Sequence, residues 1–134
     1  MALQLDFVTQ FNKYINTLGL YAKSVIGVLA ANESISVMST PGGPQQLFYD
    51  GSRDKDFQVQ ITTKSKEQAN CINALNYIFL TLENLEQLPS TNNSYEFYGI
   101  DIASLPSFVT QDDQGYFIWQ LSISAKLNIK KGVL

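Results

Sequence analysis

Ser65-Lys66-Glu67-Gln68-Ala69-Asn70-Cys71-Ile72-Asn73-Ala74-Leu75-Asn76-Tyr77-Ile78-Phe79-Leu80-Thr81-Leu82-Glu83-Asn84-Leu85-Glu86-Gln87-Leu88 is the stretch whose reading decides the fold. Ile72, Leu75, Phe79 and Leu82 recur at three- and four-residue steps, and Ala69, Ile78 and Leu85 widen the stripe, which is the period of an amphipathic helix. Ser65 with Gln68 three residues later fits a capping box at the start. Pro89 cannot continue a helix, so it marks the stop. The spacing predicts a helix of about 20 residues, roughly 30 Å long. Its apolar stripe needs a sheet to lie on.

The chain supplies that sheet on both sides. Before the helix, Phe57, Val59 and Ile61 alternate with Gln58, Gln60 and Thr62, the period of a strand with one buried face. The link into Ser65 is so short that the helix must fold back across this strand. After the helix, Tyr95 to Ala103 reads as a strand with Tyr98, Ile100 and Ile102 on one face, and Pro106 either interrupts it or restricts it to an edge. Asp112-Asp113-Gln114-Gly115 supplies a hairpin turn. The final strand is the cleanest: Phe117, Trp119, Leu121, Ile123, Ala125, Leu127 and Ile129 face one way, with Gln120, Ser122, Ser124, Lys126 and Asn128 among those facing the other. About 13 residues at ~3.3 Å rise give a strand of roughly 40 Å.

Further out, Phe7, Val8, Phe11, Tyr14, Ile15 and Leu18 make a second helical stripe from about Asp6 to Leu18, closed by Gly19. Residues 20–31 fit a buried strand or a helical turn equally well. Ser34 to Thr40 is a short strand ended by Pro41-Gly42-Gly43-Pro44. Leu47-Phe48-Tyr49 gives a short extended piece before the Asp50-Gly51 turn, and Arg53-Asp54-Lys55-Asp56 is the most charged patch. The order helix, strands, helix, strands predicts an α+β fold: a mainly antiparallel β-sheet with two α-helices packed on one face and a polar opposite face. With 134 residues, no linker and no internal repeat, the expectation is one domain spanning 1–134.

Composition narrows the function. The net charge is -3 with nine basic residues, which argues against a phosphate backbone as main partner, so no sequence-specific nucleic acid is expected. The longest apolar run, Val25 to Ala31, falls far short of a membrane span, and Met1 to Asp6 has no signal-peptide pattern, so no membrane partner is expected. There is no histidine, which removes the commonest general base and metal ligand. Cys71 is the only cysteine; on a helical stripe without basic neighbours it reads as a buried, inert thiol. Asp112-Asp113 and Asp54/Asp56 read as turn and surface acids rather than a catalytic pair. No catalytic residue, cofactor or metal ligand is expected.

What remains is surface for protein contacts. Tyr49, beside a turn, is a residue type that serves interfaces at low entropy cost. Gln120, Ser122 and Ser124 can hydrogen-bond across an interface without burying charge, while Lys126 reads either as part of that surface or as protection against stray edge pairing.

The residues also carry a family likeness. Ser34-Ile35-Ser36-Val37, then Pro41-Gly42-Gly43, Tyr49-Asp50-Gly51 and Phe57-Gln58-Val59-Gln60-Ile61-Thr62-Thr63-Lys64-Ser65-Lys66 leading into an amphipathic helix resemble the small minor capsid proteins of long-tailed bacteriophages. Pro106-Ser107-Phe108-Val109-Thr110-Gln111-Asp112-Asp113-Gln114-Gly115 before a long alternating strand resembles the same family. The resemblance implies a tail terminator, or head–tail joining protein: a tail-terminator-like α+β subunit assembling as a hexameric ring on the tail tube. It implies as partners copies of itself, the tail tube protein and the head connector or stopper protein. The site would be the tail–head junction of the virion, reached after synthesis in the bacterial host cytoplasm. Under that reading the loop from Pro41 to Asp56, long, Gly-rich and charged, with Arg53, Asp54 and Lys55, reaches toward the lumen or an axial neighbour. The alternative is a small α+β ligand- or peptide-binding module without catalysis.

Overall fold

The computed structural model describes residues 4–41 and 43–133. The elements in chain order are α1 (Phe7–Asn16), β1 (Ser24–Ile26), β2 (Ser34–Ser39), β3 (Gln45–Leu47), β4 (Arg53–Ser65), α2 (Gln68–Glu83), β5 (Tyr95–Gln111) and β6 (Phe117–Ile129). The strands form one sheet in the order β1-β2-β4-β6-β5, with β3 pairing to the start of β4 on the side where β2 pairs farther along. Every pairing is antiparallel except β1 with β2. The α+β class with two helices over a mainly antiparallel sheet is borne out.

The central pair is β4 with β6, in register from Arg53↔Ile129 to Ser65↔Phe117. Because paired residues share a face, one alternation governs both strands. Val59, Ile61, Leu121, Ile123, Ala125, Leu127 and Ile129 are buried beneath the helices, as the sequence predicts. α2 lies across β4, β5 and β6, and α1 across β1 and β2. Phe7 joins the two halves: its ring packs against Phe11, Phe57, Tyr95 and Phe97 at centroid distances of 5.5–6.5 Å. These are the tilted, edge-on and offset contacts that aromatic quadrupoles favour.

Several expectations need correction. α2 ends at Glu83 rather than near Leu88, and its start carries no capping box. Ser65 is still in β4; its hydroxyl accepts the Glu67 N–H (3.0 Å) and donates to Glu33 Oε1 (2.7 Å), while Gln68 Oε1 accepts from Trp119 Nε1 (3.3 Å). Both residues of the supposed box are engaged elsewhere. The buried stripe of α2 is Cys71, Ala74, Leu75, Ile78 and Leu82, rotated so that Cys71 lies within it; Ile72 and Phe79 flank it and Ala69 is exposed. α1 matches the predicted stripe at Phe7, Phe11 and Ile15, and Gly19 takes the positive φ (69°) expected after the helix.

Residues 20–31 contain the strand β1, whose parallel pairing with β2 breaks the otherwise antiparallel pattern. The charged patch Arg53–Asp56 is the first part of β4, so Pro41 to Asp56 is not a loose loop but contains a hairpin in which Gln45–Leu47 pair with Arg53–Lys55. Gly42 of the predicted turn lies outside the described residues. In β5, a bulge between Phe97 and Gly99 shifts the alternation: Tyr95 and Phe97 turn inward and Tyr98 is exposed, so Tyr98 does not share the face of Ile100 and Ile102. Pro106 sits in a further bulge of this edge strand, the place where a residue without an N–H is tolerated.

Candidate protein-interaction surfaces

The eight residues singled out in the sequence fall into two groups. Five lie on the bare face of the sheet. Even-numbered residues of β4 and β6 point away from the helices, and pairing sets Asp54 beside Asn128, Asp56 beside Lys126, Gln58 beside Ser124, Gln60 beside Ser122 and Thr62 beside Gln120. Asn128 Nδ2 donates to Asp54 Oδ1 (2.9 Å), Gln58 Nε2 to Ser124 Oγ (3.1 Å), and Gln60 Nε2 to Gln120 Oε1. The Lys126 ammonium meets Asp101 Oδ2 on β5 at 3.2 Å. The result is a lattice of amides and hydroxyls with charge at its two ends, Asp54, Asp56 and Lys126 toward the β4 start and Lys64 at the β4 end. Cross-strand bonds hold its side chains in place, so little further ordering entropy is lost when a partner docks.

Tyr49, Arg53 and Lys55 belong to the β3–β4 hairpin. Its turn is tightly bonded: Phe48 N–H donates to Ser52 O (2.9 Å), Gly51 N–H to Phe48 O (3.0 Å), and the Ser52 N–H and hydroxyl both donate to Asp50 Oδ1 (2.9 and 2.7 Å). Those Ser52 bonds hold the Asp50 carboxyl below its ordinary value. Gly51 has φ 88°, and a Cβ there would collide with the Lys131 side chain at 2.7 Å, so the turn requires glycine. Leu47 and Tyr49 stand clear of the subunit, Tyr49 fully exposed. Arg53 is tied back instead, its Nη2 donating to Val133 O (3.3 Å), and Lys55 Nζ reaches Gly43 O (3.4 Å). The hairpin thus presents an apolar tip on a polar, well-braced stem.

The structure adds a third surface that the sequence reading missed. On the outer edge strand β5, Leu105 and Val109 sit at bulges, and both are exposed together with Phe108. A groove of about 430 Å³ runs between this edge and α2, lined by Phe79, Glu83 and residues 100–105. The signal was the failed alternation in Leu105-Pro106-Ser107-Phe108-Val109: adjacent apolar residues cannot both face a core.

The interior offers little chemistry. Cys71 is buried as expected; burial pushes its thiol up, and the Sγ donates to Phe117 O at 3.4 Å. Tyr21 is raised, chiefly by burial, and its hydroxyl accepts from the Lys64 N–H (3.0 Å) while facing the Ser34 and Lys64 carbonyls (2.9 and 2.8 Å), which braces β2 against β4. Among the described residues no group of three or more Cys, Asp or Glu is placed to hold a metal ion, and no helix is long and apolar enough to cross a membrane.

The fold is similar to a chain in a solved structure described as the virion of a native gene transfer agent particle, with a TM-score of 0.53 and 12% identity over 90% of this chain and 95% of that one. The family model for the bacteriophage tail terminator protein matches residues 14–129. This chain belongs to the bacteriophage tail terminator family, and is a structural component of the phage tail and virion that assembles with other virion parts. Among curated proteins no match is found.

Proposed function

We propose that this chain caps the phage tail tube as a hexameric ring, terminates tail polymerisation and joins the tail to the head connector. The family match across residues 14–129 carries the reading. In this account the whole chain, 1–134, works as one domain at the tail–head junction, and its task is binding rather than catalysis. The tail tube protein and the head connector or stopper protein are its axial partners. Tyr49, Arg53 and Lys55 on the braced hairpin make one axial contact, and Asp54, Gln120, Ser122, Ser124 and Lys126 on the bare face make further inter-subunit or luminal contacts.

A ring needs unlike surfaces that meet on successive copies with a rotation that closes. The polar, pre-bonded bare face suits a subunit that must remain dispersed until a tube end presents itself. The test is negative-stain microscopy of the protein mixed with purified tail tubes. Six-fold rings on capped tube ends are expected. A protein that stays monomeric and never associates with tubes would contradict the proposal.

A further inference from the structure

We infer that the two open edges of the sheet form the lateral contact between copies: the β1 edge of one subunit packs against the β5 edge of the next. The inference rests on the ring reading and assigns it a surface.

In the order β1-β2-β4-β6-β5, the outermost strands β1 and β5 each have a neighbour on one side only. An open strand edge is a template for pairing, and such edges are ordinarily blunted by charge. Here both carry exposed apolar side chains. Ile26 (51% exposed) and Val28 (84%) lie at the β1 edge, and Leu105 (65%), Phe108 (51%) and Val109 (45%) on β5. The β5 bulges shift the strand's register at Leu105–Pro106 and at Val109, where bulges commonly re-aim side chains.

Charge selects which edge meets which. Beside β1 stand Lys23, which precedes the strand, and Lys13 on α1, the helix over that end of the sheet. Beside β5 stands Glu83, which lines the groove along that strand, and Glu86 follows it in the chain just beyond α2. All four are exposed, and among the described residues none joins an ion pair within the subunit. Packing β5 on β5 would oppose acid to acid, and β1 on β1 base to base. Only β1 on β5 joins opposite signs while covering both apolar strips. That contact is heterologous, the kind that propagates around a ring.

The experiment cross-links engineered cysteines with a short bis-maleimide after assembly on tail tubes. Cys71 is fully buried, so native background is low. The Val28→Cys/Leu105→Cys protein is expected to give a covalent ladder extending beyond dimer, and either single variant alone no cross-linked species. Separately, Leu105→Asp is expected to lower ring occupancy on tube ends roughly tenfold or more, with the melting temperature of the free subunit unchanged. Rings that form without a ladder, or cross-linked dimers from either single variant, would overturn the edge assignment and leave the ring standing. Wild-type protein that forms no ring on tubes would remove the ring reading itself, and this inference with it.

Discussion

The two faces of the sheet are made by the same strands and behave as different materials. Toward the helices, β4 and β6 present Val59, Ile61, Leu121, Ile123 and Leu127, each at most 1% exposed. Away from them, one residue along, the same strands present Gln58, Gln60, Thr62, Gln120, Ser122 and Ser124, half-buried by one another and cross-bonded. Burial of the first set supplies most of the driving force for folding. The second set returns little net stability, because each hydrogen bond replaces one made with water. Stability is concentrated beneath the helices, which leaves the bare face, the hairpin tip and the edges free for neighbours.

That contrast can be tested by loss of stability, beginning with the largest effect. Phe7→Ala removes the ring that links α1 to β4 and β5, and should cost about 3–5 kcal/mol in urea unfolding. A loss below about 1 kcal/mol would mean that the helix-covered face is not the stabilising one. Tyr21→Phe takes the hydroxyl from between β2 and β4 and leaves the Lys64 N–H without its acceptor; about 1–2 kcal/mol should be lost in the same assay.

Asp6 gives a smaller effect with a pH signature. Rather than capping α1 through its side chain, its carboxylate gathers the Ser90 and Ser94 hydroxyls (2.7 and 2.9 Å) and the Thr91 N–H (2.9 Å), tying the chain start to the loop before β5. Burial pushes this carboxyl up, but the bonds from Ser90, Thr91 and Ser94 outweigh it and hold the group below its ordinary value. A carboxyl depressed in the folded state contributes stability above its unfolded pKa, about 4, and loses that contribution as pH falls through the folded value. Asp6→Asn should therefore cost about 1 kcal/mol at neutral pH, the contact being partly solvated, and should flatten the stability loss below about pH 4. Equal acid sensitivity in both proteins would remove the assignment. Smallest of all, Ser122→Ala should change stability by no more than about 0.5 kcal/mol, although it lies at the centre of the sheet.

Much of this was legible in the sequence, for identifiable reasons. The long alternation of Phe117 to Ile129 and the apolar stripe of Ser65 to Leu88 each repeat a single period, so sheet, helix and covered face followed from them. Where tertiary contacts decide the local structure, the reading slipped. Ser65 looks like a helix cap, but it stays in β4, with its proton given to the Glu33 carboxylate and its oxygen accepting the Glu67 N–H before α2 begins. Arg53 to Asp56 look like loop because of their charge, yet they join the sheet through pairing with β3 and β6 on either side. Ile26 and Val28 carry no period, and their parallel neighbour β2 is set by the whole fold rather than by nearby residues. The candidate surfaces divide likewise. The bare face was visible as the polar half of an alternation, while the β5 edge showed only as the broken alternation of Leu105 to Val109, which marks a disturbance without saying which way its side chains turn.

The most direct test of the division between a stabilising face and functional surfaces uses Tyr49→Asp together with Lys126→Glu, two exposed positions, one on the hairpin and one on the face of β6 opposite the covered core. Tail-length distributions from assembly reactions with this variant are compared with wild type, beside the melting temperatures of both purified proteins. The account predicts overgrown, uncapped tubes from a variant that melts within a few degrees of wild type. Tubes of normal length with intact caps would contradict it.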